Sequence, residues 1–555
     1  MRKNWKSSLP AWNRWYSGLL VLGLPLLIFA STMGQAPTPI QQEIHVTSLE
    51  QIYSLNPQHM RSGREENKIL GNLYEGLLRK NPVTFEQEGA EAASWDISSD
   101  RTVYTFHLRP GLQWSDGTPI TSKSYVDSWR HILIPANGSP EAEELFLFRN
   151  AKAYYQGTLQ NFAQVGIEAI DSLTLRLTLT QPDPVFLHRI MAPHFRPIPL
   201  HALQPGEAWN PKAAYINNGP FRLKDWKTSA YIKLIRNEKF RESVDPDSVI
   251  FHVAENESTQ EKLFLTHKLH LTSTVPIRNV PLYNQKNGAS TYNPLHTIPM
   301  QASAYGLVFN TQKIPDARIR KALSLVIDRH ALVSQLRGLG EEPATRYTPD
   351  AGHKDYMPRT PYVTSPGPKE IAYARELLRE AGYEPGKSAP LPFSLLYNHR
   401  EEHQKIALVL HQTWKRTLGI NVILDSTELA VLFSRIQSGD FYIARRQFQM
   451  TSAEPYLYLQ EYAKEMSNPG HWKYAPFQAL FQKATFSTTE AEQLHFTQLA
   501  EEVLLEQAVV VPLFFYKVHR LVSPHLKVRK PDGDLLEWPM DPAQEDQAQH
   551  YVLVP

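Results

Sequence analysis

T-F-H-L-R-P-G-L-Q-W-S-D-G-T-P-I-T-S-K-S-Y-V-D-S-W, Thr105 to Trp129, decides how this chain reads. It is either a catalytic loop built around Asp116 or a piece of scaffold. In Val103–Leu108 the residues Tyr104, Phe106 and Leu108 alternate onto one face, the period-two signature of a strand. Arg109-Pro110-Gly111 ends it. Asp116-Gly117 is a tight-turn signal and Pro119 resets the chain. Thr121 is a good N-cap, and Tyr125, Trp129 and Ile132 follow at helical spacing on one face. Asp116 stands where a turn needs Asp-Gly, with no base or metal ligand beside it in sequence. The stretch reads as strand, turn and helix start, hence as scaffold.

The same reading extends outward. Leu173–Leu179 is expected to be a strand with Leu173, Leu175, Leu177 and Leu179 on one face, and Leu223–Arg236 a hairpin. Arg318–Leu336 reads as one amphipathic helix, and Lys369–Ala381 as another that stops at Gly382. Phe393–Tyr397 is a strand, His403–Leu418 a helix closed by Gly419, I-N-V-I-L (420–424) the start of a strand, and Val509–Tyr516 an apolar strand behind a helix. The pattern is mixed α/β without a fixed-period repeat or low-complexity linker.

At 555 residues the chain has length for roughly three to four domains. Hydrophobic residues make up 42% and charged residues 21%, enough to bury a large core. The 42 prolines imply many fixed turns rather than a simple bundle. Cys is absent, which excludes disulfides, Fe–S clusters, Cys-ligated zinc and a cysteine-linked lipid. The formal charge of +2 includes Arg2, Lys3, Lys6 and Arg14; without the first 34 residues the body carries −2. A near-neutral body gives no electrostatic case for nucleic acid. Those 34 residues run from a basic start through the apolar Tyr16–Ala30 to small and polar residues, the order of a secretory signal with a cut near Gly34/Gln35. An uncleaved membrane anchor is the alternative, weakened by Gly23 and Pro25.

Short motifs that suggest chemistry have plainer readings. H-R-E-E-H (399–403) fits the H-x-x-E-H spacing of zinc peptidases, with His399 and His403 as ligands and Glu402 as base. It starts directly after a strand, however, so His399 is expected to precede the helix. G-Y-E-P-G-K-S (382–388) is one residue short of a phosphate loop and follows a helix, where such a loop follows a strand. No G-x-S-x-G or G-x-G-x-x-G occurs, and no cofactor is expected. The 21 histidines permit metal or haem ligation but are scattered. Arg445-Arg446, behind F-Y-I-A, reads either as a solvated strand end or as a pair of cations for a ligand carboxylate.

Taken in order, several blocks resemble the extracellular solute-binding proteins of family 5, the oligopeptide- and dipeptide-binding proteins of bacterial ABC importers. They are L-N-P (55–57), N-L-Y-E-G-L-L (72–78), the Thr105–Thr121 block, N-N-G-P-F-R-L-K-D-W (217–226), A-R-I-R-K-A-L-S-L-V-I-D-R (317–329), W-K-R-T-L-G-I-N-V (414–422) and V-V-V-P-L-F-F-Y (509–516). The resemblance spans about Ile44 to Val522. It implies an α/β fold of two lobes, the type II periplasmic binding protein (cluster C), with an extra domain inserted in the first lobe. The corresponding boundaries are 35–75, 206–275 and 506–555 for lobe I, 76–205 for the extra domain and 276–505 for lobe II, after a signal at 1–34. A peptide or peptide-like ligand is expected between closing lobes, held partly by strand edges, and then passed to the permease by a periplasmic monomer.

The site residues the resemblance implies are Arg445 and His403 for the ligand's carboxylate, Phe448 as an aromatic beside the anchor or as core, and Gln449 in the same segment. Thr451 falls where the family's peptide binders carry an Asp for the ligand's α-ammonium, and a hydroxyl is no counter-ion. Glu454 is the nearby substitute; otherwise the ligand lacks an ordinary amine there. Ser124 stands at the third helical position where the family has Asp, so that cap is expected to be weaker. H-K-L-H (267–270) replaces a family G-E-L-D at a surface turn. Two rivals remain: the same fold carrying a metal chelate or haem, and a zinc hydrolase using His399 and His403.

Overall fold

The computed structural model describes residues 42–554 except 50, 53, 60–63, 82–86, 204–215, 285–293, 338–339, 350–355, 385–392, 450–453, 464–467, 531–532 and 538–546. The leader reading (1–34), Thr451 and most of the loop after Gly382 lie outside the described residues.

Two large hydrophobic cores organise the chain. The first gathers residues from Ile44 to Phe251 and closes with Leu271, Val522, Leu526, Val528, Ala548 and Tyr551. Two four-stranded sheets supply most of its strands. In one, Glu43–Ser48 runs parallel to Ser248–Val253, followed by the antiparallel strands Tyr231–Arg236 and Phe221–Lys227. In the other, Ala92–Ile97, Val103–Leu108, Thr174–Thr178 and Ile167–Ala169 are antiparallel throughout. The opening stretch sits here. Tyr104, Phe106 and Leu108 are buried, as are Tyr125, Trp129 and Ile132 on the helix Ser122–Ile132. Gly117 takes φ +89°, and Asp116 Oδ1 accepts from the Thr118 amide at 2.9 Å, which closes the turn. Tertiary structure adds a neighbour invisible in sequence, His201 Nε2 at 2.9 Å from Asp116 Oδ2. Ser124 Oγ accepts from the Thr121 amide at 3.1 Å, so the returning half of the cap is made with a neutral acceptor.

The second core is built on a six-stranded sheet in the order Glu342–Pro343, Val510–Leu521, Leu295–Phe309, Ile443–Gln449, Ser394–Asn398, Ile423–Thr427. The helices Ala317–Leu325, Pro368–Glu380 and Glu401–Leu418 bury their apolar stripes here: Ala322, Leu323, Leu325; Ala374, Leu377, Leu378; Ile406, Ala407, Leu410, Trp414, Leu418. Gly419, at φ +70°, closes the last of them as expected.

Two expectations are corrected. The single helix over 318–336 is three pieces, Ala317–Leu325, Arg329–Ala331 and a π-helical Leu332–Arg337. The break occurs because Asp328 N-caps a new turn, its Oδ1 accepting from the Ala331 amide at 2.8 Å. The strand expected from residue 420 begins at Ile423. Ile420 and Val422 are instead buried in the second core, behind the helix that Gly419 ends.

Leu295–Phe309 and Val510–Leu521 pair antiparallel along their length, from Leu295 opposite Leu521 to Val308 opposite Val510. Val510 and Val511 lie in the second core, Leu521 in a small cluster with Val275, Val280 and Leu295, and Val522 in the first core. The chain thus passes between cores through this ribbon.

Candidate ligand-binding site

The site grows from the central strand Ile443–Gln449. Successive side chains on a strand point to opposite faces, so the adjacent Arg445 and Arg446 part company. Neither occupies a strand end: pairing with Leu295–Phe309 continues to Gln449, opposite Ser303, so the solvated-end reading fails. Arg446 is paired with Glu461 on the helix Pro455–Ala463, and its guanidinium lies 5.7 Å from the Phe448 ring centroid. That pair ties helix to strand.

Arg445 turns the other way and is 7% exposed. Its Nη2 donates to His403 Nε2 at 2.8 Å, and its guanidinium carbon sits 5.3 Å from the Tyr305 ring centroid. A guanidinium only donates, so His403 Nε2 is the acceptor and the imidazole is neutral, with its proton on Nδ1. Nδ1 lies 3.5 Å from the Tyr305 hydroxyl. Burial pushes that hydroxyl well above its usual range, against a smaller opposite pull from Arg445, so it remains a phenol. Tyr305 is fixed by stacking on Phe514, centroids 4.8 Å apart and 10° between planes. Arg445 Nε is buried and makes no hydrogen bond among the described residues. One edge of the guanidinium, Nε with Nη2, is therefore a planar fork held by a ring face and a neutral imidazole, the geometry that takes a carboxylate through two parallel bonds.

The structure thus brings Arg445 and His403 together, as expected, and adds Tyr305, which the sequence reading missed. Its signal was the A-Y-G step in an apolar strand. At Gly306 a Cβ would lie 2.5 Å from Val511 O and 2.7 Å from Phe448 Cε2, so only glycine lets the strands close there. Phe448 takes the core alternative: fully buried, edge-on to Tyr347 at 4.9 Å, it backs the site strand. Gln449 pairs through its backbone opposite Ser303. Glu454 Oε1 lies 3.5 Å from His188 Nε2.

His399 and His403 do not form a metal pair. His399 precedes the helix Glu401–Leu418, is exposed, and its Nδ1 meets Ser426 Oγ at 2.6 Å, whereas His403 is buried against Arg445. Among the described residues no group of three His, Cys, Asp or Glu side chains is arranged to hold a metal ion. The H-K-L-H turn does more than cap a surface. His45 stacks on His252, centroids 5.2 Å apart, with Nδ1 to Nε2 at 2.9 Å, and the His45 amide donates to His270 Nδ1 at 2.9 Å.

The model described as "Bacterial extracellular solute-binding proteins, family 5 Middle" matches residues 86–468. The chain belongs to this family. Family 5 relatives match over nearly the whole length. The chain is 30% identical to the protein described as "Probable deoxycholate-binding periplasmic protein YgiS" of Escherichia coli K12, covering 91% of this chain and 94% of that one. It is 30% identical to the periplasmic murein peptide-binding protein MppA of the same organism, covering 92% and 94%. The unliganded open form of MppA superimposes with a TM-score of 0.75 at 28% identity, over 93% of this chain and 98% of that one. The chain therefore has the two-lobed, type II binding-protein fold. No helix among the described residues is long and apolar enough to cross a membrane.

Proposed function

We propose that this protein is the periplasmic solute-binding component of an ABC importer. It binds a short peptide or peptide-like compound between its lobes, hands it to the permease as a monomer, and reaches the periplasm through the leader at 1–34. It binds its ligand without breaking a bond.

The observation that carries this reading is the buried Arg445 fork, positioned by His403 and Tyr305. A cation taken out of water and given no carboxylate partner among the described residues favours an anionic guest, and its planar edge matches a terminal carboxylate. Family 5 relatives named for murein peptide and for deoxycholate support a ligand of that charge. Thr451 supplies no counter-ion for an amine, and Glu454 is engaged with His188, so the carboxylate end dominates recognition. We also place the lobe boundary on the ribbon Leu295–Phe309/Val510–Leu521, with the extra domain over 76–205 sharing lobe I's core.

Native mass spectrometry of protein from its own host identifies the cargo. Calorimetry then compares that cargo with its C-terminally amidated or esterified form. A carboxylate-blocked cargo that binds as tightly as the free acid overturns the assignment.

A further inference from the structure

Val185 and Phe186 are consecutive in sequence but belong to different cores. Phe186 is buried in the first, Val185 in the second. The chain here straddles the boundary between lobes, and its neighbours do the same. Asp183 organises the segment: Oδ1 accepts from the Val185 amide at 3.1 Å and Oδ2 from Arg189 Nε at 2.6 Å. Held this way, Arg189 donates through Nη2 to Gln460 Oε1 on the helix Pro455–Ala463. His188 Nε2 faces Glu454 Oε1, one residue before that helix, at 3.5 Å. Two polar contacts thus join 188–189 of one lobe to 454–460 of the other, and Val185 is buried in that other lobe's core.

The far side of these contacts is mechanically tied to the ligand site. The helix Pro455–Ala463 is fastened to the site strand by the Glu461–Arg446 pair, and Arg445 is the next residue on that strand. A segment that grips this helix therefore grips the lobe that carries the carboxylate fork.

We propose that Asp183–Arg189 is an inter-lobe clasp, in which Arg189–Gln460 and His188–Glu454 are positioning contacts that set how long a bound guest is retained. The inference rests on the two-lobed binding reading above, and not on the guest being a peptide. A ligand shifts an open–closed equilibrium only by its differential affinity, so contacts made solely in the closed arrangement add to that bias and slow release. The exposed rims of the pairs contribute modestly, but a tenfold change in the equilibrium is within reach of one charge-assisted bond.

The test uses the full-length protein carrying Glu454→Ala, Gln460→Ala, Arg189→Ala and the Arg189→Ala/Gln460→Ala double. Small-angle X-ray scattering of the unliganded proteins reads lobe opening. Release of a free-acid random tripeptide library, followed by stopped-flow fluorescence, reads retention. The expected result is a larger radius of gyration, about tenfold faster release with association changed less than twofold, and a double variant no worse than its stronger single. Unchanged scattering, with or without a lower unfolding midpoint, overturns the clasp, as does strict additivity of Arg189→Ala and Gln460→Ala. If the parent binds no tripeptide, the peptide reading fails while scattering and the additivity of its changes still decide the clasp.

Discussion

Arg320, on the helix Ala317–Leu325, and Arg445, on the strand Ile443–Gln449, are both buried, and neither forms an ion pair with a carboxylate among the described residues. They are otherwise opposites. Arg320 spends four of its five N–H donors on backbone carbonyls: Nη1 donates to Ile314 O at 2.6 Å and to Pro315 O at 2.9 Å, while Nε and Nη2 share Gln507 O at 3.1 and 2.8 Å. Burial pulls its guanidinium down to about 10, which leaves it charged at neutral pH. Arg445 faces a neutral imidazole and a phenol ring, with one nitrogen unused. A buried cation whose bonds go to backbone carbonyls ties its own segment into the core. One that meets only neutral side chains and keeps an unbonded Nε–H has the donor set that an anion would complete. Burial alone does not separate scaffold from site; the accounting of donors does.

The largest expected effect tests the scaffold half. Arg320→Met strands three carbonyl groups that have no other described partner. Denaturant unfolding should show a loss of about 3–5 kcal/mol, with ligand affinity of the folded protein within twofold. A variant as stable as the parent would remove the distinction drawn here. Arg445→Met should do the reverse. Stability should change by less than about 1 kcal/mol, because an apolar chain of similar volume replaces a costly buried charge, while affinity for the free-acid cargo should fall by about 3 kcal/mol in calorimetry. Arg445→Lys sharpens the geometric part of the claim. It keeps the charge and loses the fork, so an intermediate loss of roughly tenfold is expected, and full retention would reduce the site to a point charge.

N-acetylation of a peptide cargo should alter affinity by less than about 1 kcal/mol, since no described carboxylate is reserved for the amine; a loss beyond ~2 kcal/mol would contradict this.

The smallest effect concerns the other imidazole cluster. Burial first, and His45 second, push His252 and His270 down to about 4. An unfolded histidine takes up a proton near 6.5, so between the two values the unfolded state binds more protons. Stability should therefore fall as pH drops from about 6.5 towards 4. Scanning calorimetry should find a shallower decline for His270→Gln, with ligand affinity at pH 7 unchanged. Loss of binding in that variant would mean that the two histidine clusters are not independent.

Most of the elements were legible in the sequence because local rules act on neighbours. The alternation of Tyr104, Phe106 and Leu108, the Asp116-Gly117 turn and the Gly419 stop each needed only a few residues of context. The helix break at Val326–Asp328 was hidden because the apolar periodicity continues across it, while the decisive bond is an Asp328 cap that competes with helix continuation. Within the site, Arg445 was visible in the Arg445-Arg446 pair as one of two cations for a carboxylate, His403 reached the same role only through family resemblance, and Tyr305 did not enter at all. Its neighbour Gly306 is the trace of a close strand approach that no linear pattern expresses.

By itself the sequence determined the α/β class, the order of strands and helices, the absence of cysteine chemistry and the family, because these follow from composition, periodicity and ordered motifs along one dimension. Only the tertiary structure decided which buried arginine spends its donors on backbone carbonyls and which meets neutral side chains, that Arg446 is paired with Glu461, and that Val185 and Phe186 part into different cores. Those outcomes depend on which groups distant in the chain meet in space, and a donor's role is set by the acceptor it reaches rather than by the residue next to it.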